Sequence, residues 1–344
     1  MLLTMKLGYD EFDLSGVARY PLASRPSKVR REDFAAPHVP GGRVADFVAR
    51  LPKLLAAAEF AAVVDALAAA QAIGAPIVWG LGAHVIKAGL SPVLIDLMER
   101  GLVSALALNG AGVIHDVEIA LAGATSEDVD AALGPGRFGM ADETATGING
   151  AVAAGVARGL GLAQSVAAWL AAAAPPHRDV SLLCAAERLG IPVSAHVAVG
   201  TDIVHMHPDA SGAAIGEASL RDFRYLATWV SRLRGGAYVN CGSAVILPEV
   251  FLKAVAVARN QGHELTGLTT VDLDFRQQYR PHTNVLRRPT AGVGRGVHLT
   301  GHHEIMIPLL AAALVERTAS ARAGTERGPG GAATSEVEPL PPPA

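Results

Sequence analysis

Cysteine is scarce in this sequence, with only Cys184 and Cys241 among 344 residues. Two cysteines so far apart form no disulfide framework, and neither has the spacing of a metal-binding pair. Charge is scarce as well: 18% of the residues are charged, the formal net charge is −3, and no basic stripe stands out. These shortages argue against a disulfide-stapled secreted domain and against a nucleic-acid partner.

Long apolar runs are also rare. The opening residues carry acidic side chains by position 13 and show no apolar core of signal-peptide length. The Ala-rich run at 165–176, SVAAWLAAAAPP, is too short to cross a bilayer and ends in two prolines. We therefore expect a soluble, cytoplasmic protein without a membrane partner.

Half of the residues are hydrophobic, and alanine and glycine are abundant, which favours helices packed closely on a buried sheet. Short apolar runs that end in glycine or in a polar cluster predict strands, and stretches of helical spacing separate them. This alternation predicts an α/β fold with a Rossmann-like, doubly wound, mostly parallel sheet and helices on both faces. The predicted strands are 75–82, 102–110, 191–200, 236–243 and 268–275.

The domain organisation follows from where the periodicity begins and ends. Residues 1–43 lack periodicity and are expected to form an N-terminal arm. Residues 44–318 are expected to form a single α/β domain, which opens with a helix over 44–73. Residues 319–344 are rich in proline, glycine and charge, which predicts a disordered tail.

Two predicted strands lead through glycine turns into helices. In LNGAGVIHDVE (108–118), Gly110 and Gly112 would let backbone N–H groups approach a phosphate or a ribose at the positive end of the helix. His115 follows as a candidate general base. Asp116 faces the same ligand in this interpretation, although a carboxylate there also simply favours a helix N-terminus.

The stretch WGLGAHVIKAGLSP (79–92) repeats this strand, turn and helix pattern. Gly82 would be the glycine of its turn and a candidate cofactor contact. Lys87 could meet a phosphate or act as a nucleophile, whereas a single lysine is more often a solvated surface residue.

Polar residues also follow the third predicted strand, in AHVAVGTDIVHMHPD (195–209). Asp202 is placed to accept hydrogen bonds from ribose hydroxyls, and His205 is a second candidate base. His205 and His207 together could instead hold a divalent metal.

The last two predicted strands carry further candidates. The turn in YVNCGSAVILPE (238–249) contains Gly242 and Ser243. Asp272 and Asp274 lie two apart on a predicted strand, so their side chains share one face and could bind an amine or a pair of hydroxyls. The histidines of HLTGHHEIMIP (298–308) keep a metal or acid–base role open.

Three stretches in this order resemble the deoxyhypusine synthase family. They are GLGAHVIKAGLSPVLIDLMERGLVSALALNGAGVIHDVEIAL, IPVSAHVAVGTDIV and LRGGAYVNCGSAVILPEVFLKAVAVARN. The resemblance spans about residues 76–280 and lies in the order of the motifs more than in identity. It implies a Rossmann-like NAD-binding domain, oxidation of a polyamine, transfer of an aminobutyl group through a lysine imine, and a homotetramer.

The same resemblance implies site residues. Asn109, Gly110 and Gly112 would line NAD, Asp202 would hold a ribose or an amine, and Gly242 and Ser243 would lie near the nicotinamide. The family's catalytic lysine has no counterpart in TTVDLDFRQQYRPHTNVLRRP, the segment that contains the fifth predicted strand. We therefore expect retained nucleotide binding and altered chemistry.

Three functions stay open on these residues. The first is an NAD-dependent transferase or oxidoreductase that abstracts hydride from a small polar amine or polyol, with or without group transfer. His205 or His115 would be its base, and Asp272 or Asp274 would orient the substrate. The second is a metal-dependent hydrolase or lyase that uses the histidine-rich loops, and the third is a nucleotide-binding protein without catalysis.

Overall fold

The protein is built on a six-stranded sheet with every strand parallel to its neighbours. The computed structural model describes residues 8 and 11–326, with the side chains through residue 319. The spatial order is β3-β2-β1-β4-β5-β6. The strands are β1 (Ile77–Leu81), β2 (Ala105–Asn109), β3 (Val193–His196), β4 (Ala237–Cys241), β5 (Leu268–Asp274) and β6 (Gly294–Thr300).

Twelve α-helices connect and flank these strands within the described residues. They are α1 (Val44–Arg50), α2 (Leu55–Ala72), α3 (Ala83–Lys87), α4 (Ser91–Glu99), α5 (Gly110–Ala122), α6 (Val129–Leu133), α7 (Asp142–Ala157), α8 (Leu162–Ala173), α9 (Leu182–Leu189), α10 (Gly212–Val230), α11 (Ile246–Asn260) and α12 (His303–Glu326). A π-helical segment, Pro281–Arg287, lies between β5 and β6.

Helices cover both faces of the sheet, as the sequence predicts. One face carries Trp79, Leu106 and Val271, which join a large core cluster with α2, α5 and α12. The other face carries Val78 and Tyr238, which pack with residues of α10, α11 and the π-helical segment. Alternate residues of each strand therefore enter two separate cores, as a doubly wound sheet requires.

The sequence pattern and the structure differ at three elements. The helix predicted over 44–73 breaks into α1 and α2, because Pro52 cannot continue the hydrogen bonding of a helix. The sixth strand, β6, was not predicted, since its glycines weaken the strand pattern. Finally, α12 continues through Glu326, past residue 318, and the rest of the predicted tail lies outside the described residues.

Helix α2 is long and apolar enough to cross a membrane. Helices α7 and α8 would also be long and apolar enough if they formed one bent span. In this fold the buried side of α2, with Phe60, Val63 and Leu67, packs into the large core cluster. That packing buries 28% of the helix.

The order of the strands reverses between β1 and β4. Both β2 and β4 pair with β1, on opposite sides. The chain therefore passes from β1 to β2 and β3 on one side, and then crosses to β4, β5 and β6 on the other. In open parallel sheets this reversal opens a crevice beyond the carboxyl ends of the strands, where ligands bind. The predicted site residues follow those strand ends.

Candidate functional site

The turns after β1 and β4 contact each other directly at the reversal of strand order. The N–H of Gly82 donates to the carbonyl of Cys241 at 2.7 Å. A Cβ atom on Gly82 would lie 2.1 Å from the carbonyl oxygen of Gly242. Both glycines therefore serve the close approach of two protein turns.

His303 covers this turn. It is buried at the start of α12, and its Nε2 lies 3.0 Å from the carbonyl oxygen of Leu273. Gly242 has a φ of +66°, and a Cβ there would lie 2.8 Å from the His303 ring. The exposed ring of His84 lies 5.7 Å from that of His303, so two imidazoles flank the crevice.

At the end of β2, Asn109 caps the helix that follows. Its side-chain oxygen accepts from the N–H of Gly112 at 2.9 Å, which satisfies one free donor at the start of α5. A Cβ on Gly110 would lie 1.9 Å from a carboxylate oxygen of Asp202. Gly110 thus lets the Asp202 carboxylate sit against the N-terminus of α5, where a negative charge is favoured.

Asp202 is half-buried, and burial raises the pKa of its carboxyl group, an effect that nearby His205 opposes. Nδ1 of His205 accepts from the backbone N–H groups of Gly200 and Asp202, at 3.1 and 3.2 Å. These bonds occupy one ring nitrogen of His205. The cavity that Asp202 and His205 line with Gly110 holds about 20 Å³, room for one water molecule.

Three polar side chains form a chain across β4, β5 and β6. Asn240, Asp272 and His298 lie in register on neighbouring strands, so they share one face. Asn240 Nδ2 donates to Asp272 Oδ1 at 2.8 Å, and the other oxygen of Asp272 lies 2.9 Å from His298 Nδ1. Among the described residues no partner reaches His298 Nε2, although it is buried.

This geometry settles which nitrogen of His298 carries the proton when the ring is neutral. The fully buried carboxylate of Asp272 is a hydrogen-bond acceptor, so Nδ1 is the donor and Nε2 keeps its lone pair. A carboxylate that orients an imidazole in this way is the arrangement of a general base. The sequence pattern placed Asp272 in the site and left an acid–base role open for His298, but it did not pair the two residues.

The residues next to the polar chain of Asn240, Asp272 and His298 make local hydrogen bonds. Asp274 shares the Asp272 face and is buried, and its carboxylate accepts from the N–H of Phe275 at 2.7 Å. Ser243 accepts from the N–H of Leu247 through its hydroxyl, 3.2 Å away, and its carbonyl accepts from Asn240 Nδ2. Ser243 therefore joins the start of α11 to the polar chain.

His115 and Asp116 do not meet at a common ligand space. Nδ1 of His115 lies 2.6 Å from the hydroxyl of Thr125, which donates to Glu118. Asp116 is fully buried and accepts from the hydroxyl of Ser181 and from two backbone N–H groups at the start of α9. The carboxylate of Asp116 therefore stabilises a different helix from the one that carries it.

Lys87 is exposed at the end of the short helix α3. His207 Nε2 lies 2.9 Å from the carbonyl oxygen of Gly139, on the side of the Asp202 segment that faces α6 and α7. Across residues 8 and 11–326, no group of three His, Cys, Asp or Glu side chains is arranged to hold a metal ion. His205, His207 and the histidines near α12 therefore do not form a ligand set in this structure.

A larger cavity lies at the opposite end of the sheet. It holds about 410 Å³ and is bordered by the starts of β2 and β3 and by α8, α9 and α10, with Gln164, Glu187, Tyr225 and Trp229 among its walls. None of the predicted site residues lines it. Cavity size alone therefore does not identify the candidate site.

The pairing of Asn240, Asp272 and His298 across three strands was not predicted from the sequence. Asn240 sits inside a predicted strand, and His298 sits in the strand that was not predicted. The apolar neighbours of His298, Val297 and Leu299, carry the alternation of a half-buried strand, which is the signal that could have located it.

No protein-family model matches this sequence, and no sequence among curated proteins matches it. Solved structures do match its fold. AgrE, crystallised without ligand and as a ternary complex with ornithine and NAD⁺, superposes with TM-scores of 0.52 and 0.51 at 18% and 17% identity. These matches cover 75% and 76% of this chain and 33% of AgrE, so the chain spans about a third of that protein's length.

Two further structures are similar at lower scores. A conserved LOR/SDH protein from Methanococcus maripaludis S2 gives a TM-score of 0.49 at 16% identity, over 76% of this chain and 70% of that one. A proposed deoxyhypusine synthase from Entamoeba histolytica gives 0.47 at 10% identity, over 81% and 95%. The likeness to AgrE, at 17% and 18% identity, shows a shared α/β fold.

Proposed function

We propose that this protein is an NAD-dependent enzyme that removes hydride from a small polar substrate, an amine or an alcohol, with His298 as the base. The observation that carries the proposal is the Asp272–His298 pair, whose Nε2 lone pair is unpartnered among the described residues near the carboxyl ends of the strands. NAD-linked enzymes use an imidazole of this kind to take the proton that leaves with hydride.

The residues present fit a dinucleotide in part. The Asp202 carboxylate lies beside the N-terminus of α5, which places an acceptor for ribose hydroxyls next to a positive helix end. Gly82 and Gly242 lie at the reversal of strand order, although other protein atoms already fill the space where a Cβ atom of either residue would be. The 20 Å³ cavity behind Asp202 is too small for a ribose, so a nucleotide would lie on the solvent side of Asp202.

In this proposal NAD supplies the hydride acceptor when bound. The chain's own residues handle the proton. Nε2 of His298 accepts the proton of the substrate hydroxyl or amine while hydride leaves the adjacent carbon, and the substrate becomes a carbonyl or an imine. Asp272 then stabilises the imidazolium, since its carboxylate already bonds to Nδ1.

The π-helical segment covers the side of β6 on which His298 lies. That segment packs on β5 and β6, and a Cβ on Gly296, two residues before His298, would lie 2.3 Å from the Leu286 carbonyl oxygen. The proposal therefore requires residues 275–287 to move when substrate enters. Exposed Phe275 and Tyr279 mark the start of this cover.

The likeness to AgrE, which was crystallised with ornithine and NAD⁺, supports the proposal that this chain binds a dinucleotide. The departure from the deoxyhypusine synthase pattern after β5 favours hydride removal without a lysine imine. Transfer of a group after oxidation and a tetramer remain parts of the proposal that follow from the family resemblance. A cytoplasmic location is a further part, and it follows from the composition of the sequence.

Titration calorimetry with NAD⁺ tests the proposal. We expect NAD⁺ to bind the intact chain. We expect it to bind Asp202→Ala at least about tenfold more weakly, because hydrogen bonds to a charged group contribute about 1.5–3 kcal/mol. Asp209→Ala, in the same surface segment, is the matched control and should bind like the intact chain. Equal affinity of Asp202→Ala would remove Asp202 from the cofactor site, and binding without turnover of any amine or alcohol would leave a nucleotide-binding protein.

A further inference from the structure

The N-terminal arm, residues 11–43, is ordered in turns yet contacts little of its own chain. Its two short 3₁₀ turns, at 22–24 and 31–33, are closed by local hydrogen bonds. Contacts with the body occur near its end, where Lys53 donates to the Asp33 carbonyl and Arg50 to the Pro37 carbonyl. Nearly every residue before Asp33 is exposed.

The arm exposes large apolar side chains. Eight of them are between 50% and 87% exposed, a density that a surface segment rarely carries without a partner. They are Phe12, Leu14, Val17, Tyr20, Leu22, Val29, Phe34 and Val39. The chain's own body does not cover them, so the arm is complementary to a surface on another molecule.

The charge of the arm indicates what that surface is. Between Arg19 and Arg31 the sequence has five cations and no acidic residue. They alternate with Tyr20, Leu22 and Val29. The partner surface should therefore carry both acidic and apolar side chains.

Such a surface exists on this chain, and we name residues 127–143 the acidic rim. It has five acidic residues against a single cation, Arg137, and all six are exposed. The acidic residues are Glu127, Asp128, Asp130, Asp142 and Glu143. Between them, Val129, Leu133 and Met140 are exposed large apolar side chains.

The acidic rim borders the Asp202 segment. Gly139 packs so closely on Ile203 and Met206 that a Cβ would lie 2.8 Å from each, and its carbonyl oxygen lies 2.9 Å from His207 Nε2. A segment bound to the rim would stand beside the ends of β2 and β3. It would therefore form one wall of the candidate site.

We propose that residues 19–31 of one copy bind the acidic rim, residues 127–143, of a second copy and complete the carboxyl-edge site there. Cations of the arm pair with the rim's carboxylates, and the apolar side chains between them bury one another. The charges of the two segments are complementary, and both segments are exposed.

Charge reversal in two chains tests this proposal. One variant reverses the arm with Arg25→Glu and Lys28→Glu, and the other reverses the rim with Asp130→Lys and Glu143→Lys. Sedimentation or light scattering gives the molar mass at micromolar concentration. We expect the intact chain to assemble, each variant to fall to the mass of one chain, and an equimolar mixture of the two variants to reassemble.

The mixture separates binding between chains from binding within one chain. In a mixed pair each reversed arm meets a reversed rim and each native arm meets a native rim, whereas an arm bound to its own body gains nothing from mixing. Glu264→Lys, an exposed acidic residue far along the chain, is the control and should assemble normally. A monomeric intact chain, variants that still assemble, or a mixture that stays dissociated would each overturn the proposal.

Discussion

Asp272 and His298 lie on neighbouring strands with Oδ2 and Nδ1 2.9 Å apart, and the carboxylate is fully buried. Asn240 holds the other carboxylate oxygen from the strand on the opposite side. Both oxygens of Asp272 are therefore satisfied by the protein, which leaves Nε2 of His298 and Oδ1 of Asn240 as the atoms of this group without a partner among the described residues. The strand register alone brings the three side chains together.

His298→Gln should lower kcat by about 10²- to 10⁴-fold, the usual loss when a general base is removed. Asp272→Asn should also lower kcat, because an amide can donate to Nδ1 and then favours the proton on Nε2. Steady-state kinetics with NAD⁺ over a pH series measures both effects, and the acidic limb of the kcat/KM profile should disappear in His298→Gln. His302→Gln, an exposed neighbour, should keep the intact profile, and a fully active His298→Gln enzyme would exclude His298 as the base.

Gly82→Ala should destabilise the protein by about 1–3 kcal/mol, since overpacking against backbone costs this much. The new Cβ would lie 2.1 Å from the Gly242 carbonyl oxygen, and backbone on that side cannot move cheaply. Urea unfolding measures the change. Gly150→Ala is the control: it lies inside α7 with open space around it, and there alanine should stabilise by about 0.5–1 kcal/mol.

Asp116→Ala should lower stability by about 3 kcal/mol or more and leave NAD⁺ affinity unchanged, because lost bonds to a charged group leave buried donors unpaired. Ser181 and the first N–H groups of α9 would lose their acceptor. Thermal unfolding and calorimetry together check this. Asp179→Ala, exposed in the preceding turn, should change neither quantity. A loss of NAD⁺ affinity at constant stability would instead place Asp116 at the ligand.

The stability of the protein should fall as pH rises from about 4 to 7, because of Asp222. Burial raises the pKa of this carboxyl group to about 7, although the N–H groups of Ala163 and Ala195 donate to Oδ2 at 2.9 and 2.7 Å. The folded state therefore keeps a proton that the unfolded chain releases near pH 4, so folding is favoured below that pH and the gain is lost through pH 7. At about 1.4 kcal/mol per pH unit, the effect reaches at most about 4 kcal/mol.

Asp222→Asn isolates this contribution. The amide can keep its oxygen at the position of Oδ2, where it still accepts from the backbone. Its NH₂ group would take the position of Oδ1, which has no partner among the described residues, so the amide mimics the protonated acid. Urea unfolding from pH 4.5 to 8 should show a smaller decrease for Asp222→Asn than for the intact chain. Identical slopes would show that Asp222 stays ionised in the folded protein.

Much of the architecture was predictable from local pattern. The five predicted strands are present, and nearly all residues of the observed strands are buried, as parallel strands require, although the third strand covers only Val193–His196 of the predicted 191–200. Asp128 caps α6 through a side chain that accepts from the Ala131 N–H, although Ser126, two residues earlier, is also a capping residue type. Either residue type caps a helix, so local sequence did not distinguish them.

The amino-acid sequence by itself determined the alternation of strands and helices, the glycine turns and the parallel sheet, because each depends on residues that are neighbours along the chain. Only the tertiary structure decided which polar side chains meet. His298 reaches Asp272 because β6 lies beside β5 in one register. Asp116 bonds to Ser181, 65 residues further along the chain, because α9 lies against α5. Contacts across such separations depend on strand order and packing, which no local pattern of residues contains.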